Sequence, residues 1–215
     1  MAVTDSFPGG NETPIAGNWN SGAGGWGNVN LVSNAVQAGT TDTDVMAKYN
    51  AGSFSNDQYS QAKIVTFSTG TGYVGVSVRA QSDTDGSCYV LYAQNVNNRF
   101  EIAKQNASGA SVSTTTLATI TATPAVNDII KLEATGTNPT TLKAYQNGTQ
   151  IGSNVTDSSS PYNNGRPGVA FYSSTVANHR LDDWEGGDVG AAAGQPFAIR
   201  GQQIPGMRNS FKIGA

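Results

Sequence analysis

The sequence is poor in three features that mark common protein classes: cysteine, charge and long apolar runs. Cys88 is the only cysteine among 215 residues, so no intrachain disulfide can form. We expect its thiol to be buried in a strand. No apolar run approaches the roughly 20 residues that a membrane-spanning helix needs, which argues against a membrane protein. Charged residues make up only 13% of the chain, too few for the charged outer faces of many helices.

The few charges are unevenly distributed. Residues 189–215 carry Arg200, Arg208 and Lys212 and no acid, whereas the rest of the chain holds nine basic and fifteen acidic residues. That acidic body argues against nucleic acid as a partner, because phosphate binding needs a basic face. The first residues lack the basic start and apolar core of a signal peptide, although the Ser/Thr/Asn-rich composition is typical of extracellular proteins. Release by cell lysis, as for virion proteins, or removal of a signal would reconcile the two.

The chain does contain many short segments that alternate apolar and polar residues between turn signals. Residues 73–80 place Val74, Val76 and Val78 on one face, and Asn147-Gly148 is the strongest hairpin signal. Residues 73–105 predict a three-stranded antiparallel meander. About thirteen strands in one domain favour an all-β, two-sheet antiparallel sandwich, since a single open sheet of that size would curl or split. We predict strands at 3–7, 29–32, 35–38, 45–49, 58–67, 73–80, 88–95, 99–105, 110–120, 128–135, 140–146 and 150–155, with two more in 166–188.

Six segments together resemble the concanavalin A-like lectin/glucanase superfamily, in particular its laminin G-like jelly rolls. They are NDQYSQAKI (56–64), YVGVSVRA (73–80), SCYVLYAQ (87–94), LKAYQNGTQIG (142–152), RPGVAFYS (166–173) and LDDWEGGD (181–188). The resemblance spans roughly residues 4–188 and implies a jelly-roll sandwich in which the first strand pairs with the last. It also implies a concave sheet with loops at its rim, where such proteins usually bind glycans. Members include lectins, carbohydrate-binding modules, glycoside hydrolases and modules of bacteriophage virions, so the fold leaves the function open.

Residues that could support catalysis are few. Glucanases of this superfamily place acids at alternate positions of one strand, and no such motif occurs here. Asp183 and Glu185 share strand parity, but their segment resembles the closing strand, so we expect a structural role and no enzyme activity. His179 is the only histidine, and we expect it on a surface loop, outside any Ser/His/Asp triad. One cysteine and one histidine also exclude a typical zinc site.

Two groups of residues could bind ligands. Asp83 and Asp85 in the turn SDTDG, like the run TDTD at 41–44, could hold calcium, although aspartates also cap turns without metal. No other cofactor is expected. Four aromatic residues could stack on glycan rings, and the alternative is that the tryptophans fill the ends of the sandwich core. The four are Trp19, Trp26, Tyr49 and Tyr162.

The C-terminal segment has a different character. We divide the chain into a sandwich at 1–188 and a tail at 189–215, which begins with an Ala/Gly linker. Spaced apolar residues and three cations then predict docking to another subunit; an appended segment or packing on the chain's own domain are the alternatives. The residues expected to dock are Phe197, Ile199, Arg200, Ile204, Met207, Arg208, Phe211 and Lys212.

These observations lead to two hypotheses for function. The first is a non-catalytic bacteriophage virion protein, such as a capsid decoration (cement) protein or a tail-associated surface protein. In that hypothesis the tail anchors the chain to other virion proteins and the sandwich is exposed on the particle surface. The second is a carbohydrate-binding module or lectin-like adhesin that recognises host or environmental glycans. The sequence leaves the choice between head and tail, and a homo-oligomeric state, open.

Overall fold

The structure, a computed structural model, describes residues 1–68, 70–109 and 111–190. These residues form fifteen strands and two short 3-10 turns, at Ala23–Gly25 and Val176–Asn178. Among them, no helix has the length and apolar character to span a membrane. The strands are β1 (Ala2–Asp5), β2 (Trp19–Ser21), β3 (Val29–Val32), β4 (Ala35–Ala38), β5 (Val45–Tyr49), β6 (Gln58–Phe67), β7 (Gly72–Ala80), β8 (Cys88–Gln94), β9 (Arg99–Ser108), β10 (Ser111–Ile120), β11 (Ile129–Thr135), β12 (Thr140–Gln146), β13 (Thr149–Asp157), β14 (Arg166–Ser173) and β15 (His179–Asp188).

The strands build two stacked antiparallel sheets, as the sequence predicts. The eight-stranded sheet has the order β13-β12-β11-β6-β15-β4-β3, with β1 paired to β15. The seven-stranded sheet has the order β10-β9-β8-β7-β14-β5-β2. The predicted meander is confirmed as β7-β8-β9. The predicted pairing of first and last strands is also confirmed, with Ala2 opposite Gly187 and Asp5 opposite Trp184.

The core lies between the two sheets and is filled by alternate residues of their strands. Val74, Val76 and Val78 of β7 have no exposed surface, and they belong to one apolar cluster with Ile130 and Leu132 of β11. The opposite parity of β7 points away from this core. On that outer side of the seven-stranded sheet a second, smaller apolar cluster forms. Its buried members are Ala23, Trp26, Met46, Ala80, Cys88, Val90, Tyr92, Ala103, Ala107 and Ala170.

Several local predictions are confirmed and others need correction. Cys88 is fully buried, as expected, and burial raises the pKa of its thiol. His179, expected on a surface loop, is instead fully buried at the start of β15. Its Nδ1 lies 2.7 Å from the Ser173 hydroxyl at the end of β14, so it belongs to the packing between two strands. Strand β2, which contains Trp19, was missed because Asn and Gly residues surround it in the sequence.

The division into a sandwich and a tail stays a prediction. Strand β15 ends at Asp188, the last residue assigned to the sandwich. The tail residues expected to dock lie outside the described residues, and no structural statement about them follows. They are Phe197, Ile199, Arg200, Ile204, Met207, Arg208, Phe211 and Lys212.

Candidate functional site

The outer face of the seven-stranded sheet is covered at one end and open at the other. A loop that contains the 3-10 turn Ala23–Gly25 lies over the covered end. There the Trp26 indole nitrogen donates a hydrogen bond to the Gly86 carbonyl at 3.0 Å, and Trp26 is only 4% exposed. At the open end, where β7 begins and β8 and β14 end, tyrosine side chains form the outer surface of the sheet.

We call the depression at the open end the tyrosine groove; its lining includes Thr71, Tyr73, Gln94, Val96, Asn97 and Tyr172. Its volume is about 250 Å³. Tyr73 lies opposite Gln94 on β8 and opposite Tyr172 on β14, so all three side chains share the outer face. The rings of Tyr73 and Tyr172 stack, with centroids 6.0 Å apart and planes 27° apart. Val96 at the rim is 60% exposed.

A chain of hydrogen bonds fixes the tyrosines from beneath. The Tyr73 hydroxyl donates a hydrogen bond to the Asp44 carboxylate. The Tyr172 hydroxyl donates to the Asp42 carboxylate, with the two oxygens 3.3 Å apart. Gln105 of β9 donates its amide to the Tyr92 hydroxyl, and the Tyr92 ring lies 3.9 Å from that of Tyr73. The groove therefore has a preorganised floor that spans strands β9, β8, β7 and β14.

The electrostatics of this floor favour neutral phenols. Burial raises the pKa of Tyr73 well above its usual value of 10, and the nearby Tyr92 and Asp44 raise it further. Burial likewise raises the pKa of Tyr92. A neutral phenol both donates and accepts a hydrogen bond, so the floor keeps its bonding pattern across the physiological pH range.

A glycine makes room for this arrangement. Gly75 lies opposite Tyr92 in the ladder between β7 and β8. A Cβ atom at Gly75 would come within 3.1 Å of the Tyr92 ring and 2.8 Å of the Leu91 carbonyl oxygen. Gly75 thus lets the Tyr92 ring lie close to the sheet beside Tyr73.

Amide and carboxylate groups border the aromatic floor. Gln94 donates its side-chain amide to Glu101 at 2.6 Å, and Asn97 donates to the Gln94 side-chain oxygen at 2.9 Å. Glu101 also pairs with Arg99. The groove therefore combines flat apolar surface with hydrogen-bonding groups at its edge, a composition typical of small-molecule sites.

Comparison with solved structures identifies the architecture. The carbohydrate-binding module CBM66 from Bacillus subtilis has 16% sequence identity and a TM-score of 0.55, covering 77% of this chain and 91% of that chain. The chain has the concanavalin A-like fold. The Ca2+/Man-bound exoplasmic/lumenal domain of VIP36 has a TM-score of 0.52 at 12% identity, over 79% of this chain and 82% of that chain. The apo Crh5 transglycosylase has a TM-score of 0.50 at 9% identity, over 87% and 84%.

At such low sequence identities, the structural similarity shows the concanavalin A-like fold and no specific function. No family model matches the sequence, and no curated protein matches it. The similar structures are named as a carbohydrate-binding module, a mannose-bound domain and a transglycosylase, so the same fold is found in binding proteins and in an enzyme. The predicted sandwich and its concanavalin A-like character are thus confirmed, whereas the function is not decided by the fold.

Three of the four aromatic residues predicted to bind glycans are buried in this concanavalin A-like sandwich. Trp19 and Tyr49 form a cluster with Trp184 in the core, with ring centroids 4.7 to 5.5 Å apart. The Trp19 indole nitrogen donates to Asp5 at 2.8 Å. Trp26 lies under its own loop. Stacking on a sugar needs an exposed ring face, which these three buried rings do not offer. Trp19 and Tyr49 fill the core between the sheets, whereas Trp26 packs in the outer apolar cluster.

The fourth predicted residue, Tyr162, is half-buried in a separate depression of about 400 Å³ near β9 and β13. Its hydroxyl donates to the Gln105 carbonyl at 2.9 Å. The Lys104 ammonium lies 4.9 Å from the ring centroid and also pairs with Asp157 at 2.8 Å. Glycan binding by Tyr162 stays a prediction, and the residue lies apart from the tyrosine groove.

The aspartates considered for calcium have other partners. Asp83 pairs with the Lys48 ammonium at 2.7 Å. Asp85 accepts a hydrogen bond from the Ser87 backbone at 2.9 Å, as in an aspartate-capped turn. Across residues 1–68, 70–109 and 111–190, no cluster of three or more His, Cys, Asp or Glu residues could hold a metal. Calcium binding at these turns stays a prediction.

The acids of the closing strand have contacts typical of structural residues. Glu185 accepts a hydrogen bond from the Tyr59 hydroxyl, and the Gln61 amide lies 3.4 Å from its second oxygen. The pairing of β15 with β6 shifts register between Asp182 and Glu185, and Asp183 has a φ of 48° within that bulge. Asp183 and Glu185 both belong to the eight-stranded sheet, which does not contribute to the tyrosine groove.

Sequence reasoning missed Tyr73 and Tyr172, the residues that define the groove. Tyr73 is the first residue of the segment YVGVSVRA and Tyr172 the penultimate residue of RPGVAFYS, and most other residues of both segments are small or apolar. The available signal was the alternation of side chains along each strand, because Tyr73 is next to the core residue Val74 and Tyr172 is next to the core residue Phe171. This alternation shows that both tyrosines point away from the core, but only the pairing of β7 with β14 brings them together.

Proposed function

We propose that this chain is a non-catalytic carbohydrate-binding protein whose glycan lies in the tyrosine groove. The observation that carries the proposal is the stacked pair Tyr73 and Tyr172, which is flanked by the amides of Gln94 and Asn97. A sugar ring has one face of C–H groups and a periphery of hydroxyls. Aromatic rings suit the face and side-chain amides suit the hydroxyls.

The preorganised floor adds to this support. The hydroxyls of Tyr73 and Tyr172 are each directed to an aspartate, so their rings do not have to be ordered when a ligand arrives. A site that is already ordered loses less conformational entropy on binding. Two structures of similar fold are named as a carbohydrate-binding module and a mannose-bound domain, which also supports glycan binding as the proposal.

The non-catalytic part of the proposal rests on the placement of carboxylates. A retaining or inverting glycosidase needs two carboxyl groups flanking the bond to be cleaved. Beside the groove, Glu101 is held by Arg99 and Gln94, and Asp44 by Tyr73. Asp183 and Glu185 belong to the other sheet. Incubating the protein with a bound oligosaccharide should therefore release no shorter product; cleavage lost in Glu101→Gln would contradict this part.

The experiment that tests glycan binding uses a matched pair of tyrosine variants. After a glycan array has selected a neutral oligosaccharide, isothermal titration calorimetry should show that Tyr172→Ala weakens its binding by about tenfold, which corresponds to about 1.4 kcal/mol. Tyr145→Ala, on the outer face of the eight-stranded sheet, should leave the affinity unchanged. Equal effects of the two variants, or an array without any bound glycan, would contradict the proposal.

A second proposal is a structural role in a bacteriophage virion, as a capsid decoration or tail-associated protein anchored by residues 189–215. The feature that favours it is the sequence of the tail, where apolar residues such as Phe197 and Phe211 are spaced among Arg200, Arg208 and Lys212. Glycan binding is compatible with this role. Deleting residues 189–215 should abolish incorporation into particles, measured by mass spectrometry of purified virions. Undiminished incorporation of the truncated chain would rule out docking through the tail.

A further inference from the structure

A third depression lies at the opposite end of the same sheet from the tyrosine groove. It forms where β5 and β7 end and β14 begins, and its volume is about 580 Å³. We call it the cationic cleft; its lining includes Lys48, Asn50, Phe54, Gln81, Asn164 and Arg166. None of these residues takes part in the proposed glycan site.

Arg166 contributes a guanidinium that has no carboxylate partner. Its Nη1 donates to the Gly52 carbonyl at 2.9 Å and lies 3.5 Å from the Tyr49 carbonyl, which fixes the group in place. Among the described residues no carboxylate forms an ion pair with it. The planar guanidinium has five N–H donors in a fork, a geometry that matches a carboxylate with two parallel hydrogen bonds.

Lys48 places a second positive charge in the cleft. It is only 2% exposed, and its Nζ donates to the Gln81 carbonyl at 2.7 Å. Its ion-pair partner Asp83, at 2.7 Å, has a side chain that is 63% exposed. Lys48, Arg166 and Asp83 together leave the cleft with one net positive charge, on a domain whose other charges are mostly acidic.

Polar and apolar walls complete the cleft. In the part of the chain that the structure describes, the side chains of Asn50 and Asn164 have no hydrogen-bond partner, and Asn164 is exposed. Phe54 forms an apolar wall and packs edge-on against Tyr49, with centroids 6.3 Å apart. Side-chain amides in such a position are suited to sugar hydroxyls, as in the tyrosine groove.

We propose that the cationic cleft binds the carboxylate of a uronic acid residue in an acidic saccharide. Arg166 holds the carboxylate, Lys48 adds attraction, and Asn50 and Asn164 bind neighbouring hydroxyls. One net positive charge complements a single carboxylate better than a doubly charged phosphate. The choice of a saccharide as the ligand rests on the proposed function, whereas the choice of a carboxylate rests on the cleft itself.

The test compares two probes that have the same sugar chain and differ at their carboxyl groups, tetragalacturonate and its uncharged, fully methyl-esterified form. Calorimetry should show that the intact protein binds the charged form at least about tenfold more tightly, and that added salt reduces the difference. Arg166→Gln should remove the preference. Asn164→Asp adds a negative charge to the cleft and should weaken binding of tetragalacturonate by about tenfold. Asn163→Asp, the same change one residue away and outside the lining, is the matched control and should have little effect.

The outcomes separate this inference from the proposed function. Equal binding of the two probes, or equal effects of Asn164→Asp and Asn163→Asp, would overturn the cleft as a uronate site. Tighter binding of inorganic phosphate than of tetragalacturonate would overturn the ligand class. If neutral glycans bind and their binding depends on Tyr172 while tetragalacturonate does not bind, only uronate binding in the cationic cleft is contradicted. If tetragalacturonate binds through Arg166 while no neutral glycan binds, only glycan binding in the tyrosine groove is contradicted.

Discussion

Tyr73 lies directly opposite Tyr172 across the ladder between β7 and β14, and their rings stack with centroids 6.0 Å apart. The next residues along each strand, Val74 and Phe171, are also paired and are fully buried in the core. One register thus positions both the core pair and the groove pair. A slip of one residue would exchange them, so packing of the core fixes the geometry of the groove.

The buried phenols predict a delayed alkaline titration. Burial raises the pKa values of Tyr73 and Tyr92 in the folded chain, above the usual value of 10. Because the folded protein then favours the neutral form, this contribution to stability is complete below about pH 10 and is lost as the pH rises above it. In urea, the eight tyrosines should each be about nine-tenths ionised at about pH 11. Phenolate absorbance of the native protein at the same pH should be clearly lower. Equal absorbance of the native and the urea-unfolded protein would contradict this.

The loop over the covered end of the outer face depends on a close contact between two glycines. A Cβ at Gly24 would lie 2.1 Å from the Gly86 backbone nitrogen, and Gly24 has a φ of 59°. Gly109 has nearly the same φ, 60°, with nothing within 4 Å of its Cβ position. Gly109→Ala should therefore cost about 1 kcal/mol for the backbone conformation alone, and Gly24→Ala about 2 kcal/mol more.

Urea unfolding of the two variants measures this difference. Because the φ angles match, the difference between the two losses isolates the steric contact of the Ala23–Gly25 turn with Gly86. Equal losses would mean that the loop moves aside at no cost and does not cover the sheet firmly. The Gly24 variant should also expose Trp26, which a red shift of its fluorescence would report.

Local pattern was sufficient to predict most of the concanavalin A-like sandwich. Alternation in β7 placed Val74, Val76 and Val78 on one face, and all three are buried in the core. The hairpin at Asn147-Gly148 has φ angles of 52° and 78°, the left-handed pair that this dipeptide predicts. These features depend on neighbours in the sequence, which is why the sequence alone was enough to infer them.

The candidate site could not be predicted in the same way, because it depends on contacts between distant segments. Tyr73 and Tyr172 are about a hundred residues apart and meet only through the pairing of β7 with β14. Trp19, surrounded by Asn and Gly, has the sequence context of an exposed loop residue. Its strand pairs with β5 at the sheet edge and turns the indole into the core. For Trp19, strand pairing decides that the side chain faces the core, and for Tyr73 and Tyr172 it decides that the two rings meet; the local sequence does not reveal this pairing.

Arg79 joins several loops at one end of the sandwich, and we expect its loss to be costly. The side chain is fully buried and donates to the carbonyls of Asn56, Gly136 and Tyr162 at 2.6 to 2.8 Å. It also donates to the Thr140 hydroxyl at 2.7 Å. Arg79→Met would leave these acceptors without their donor and should lower the free energy of unfolding by about 3 kcal/mol or more.

The control for Arg79→Met is Lys143→Met, which removes a positive charge from the outer face of the eight-stranded sheet. Lys143 forms no ion pair within the described residues, so its replacement should change stability by about 0.5 kcal/mol at most. Denaturant unfolding of both variants provides the comparison. A loss in Arg79→Met no larger than in Lys143→Met would show that water or other donors replace the guanidinium.

His179 predicts a pH dependence of stability near neutrality. It is fully buried against Phe67 and bonded to Ser173, and burial lowers its pKa below the usual 6.5. Above that pH both folded and unfolded chains hold a neutral imidazole. As the pH falls through about 6.5, the unfolded chain binds a proton that the folded chain resists, so the free energy of unfolding decreases. His179 is the only histidine, so the drop between about pH 7.5 and 5.5 in urea unfolding should disappear in His179→Gln. Asp182 cannot produce this drop, because burial raises its pKa and the folded chain therefore gains stability from it as the pH falls. An unchanged drop in His179→Gln would contradict the assignment to His179.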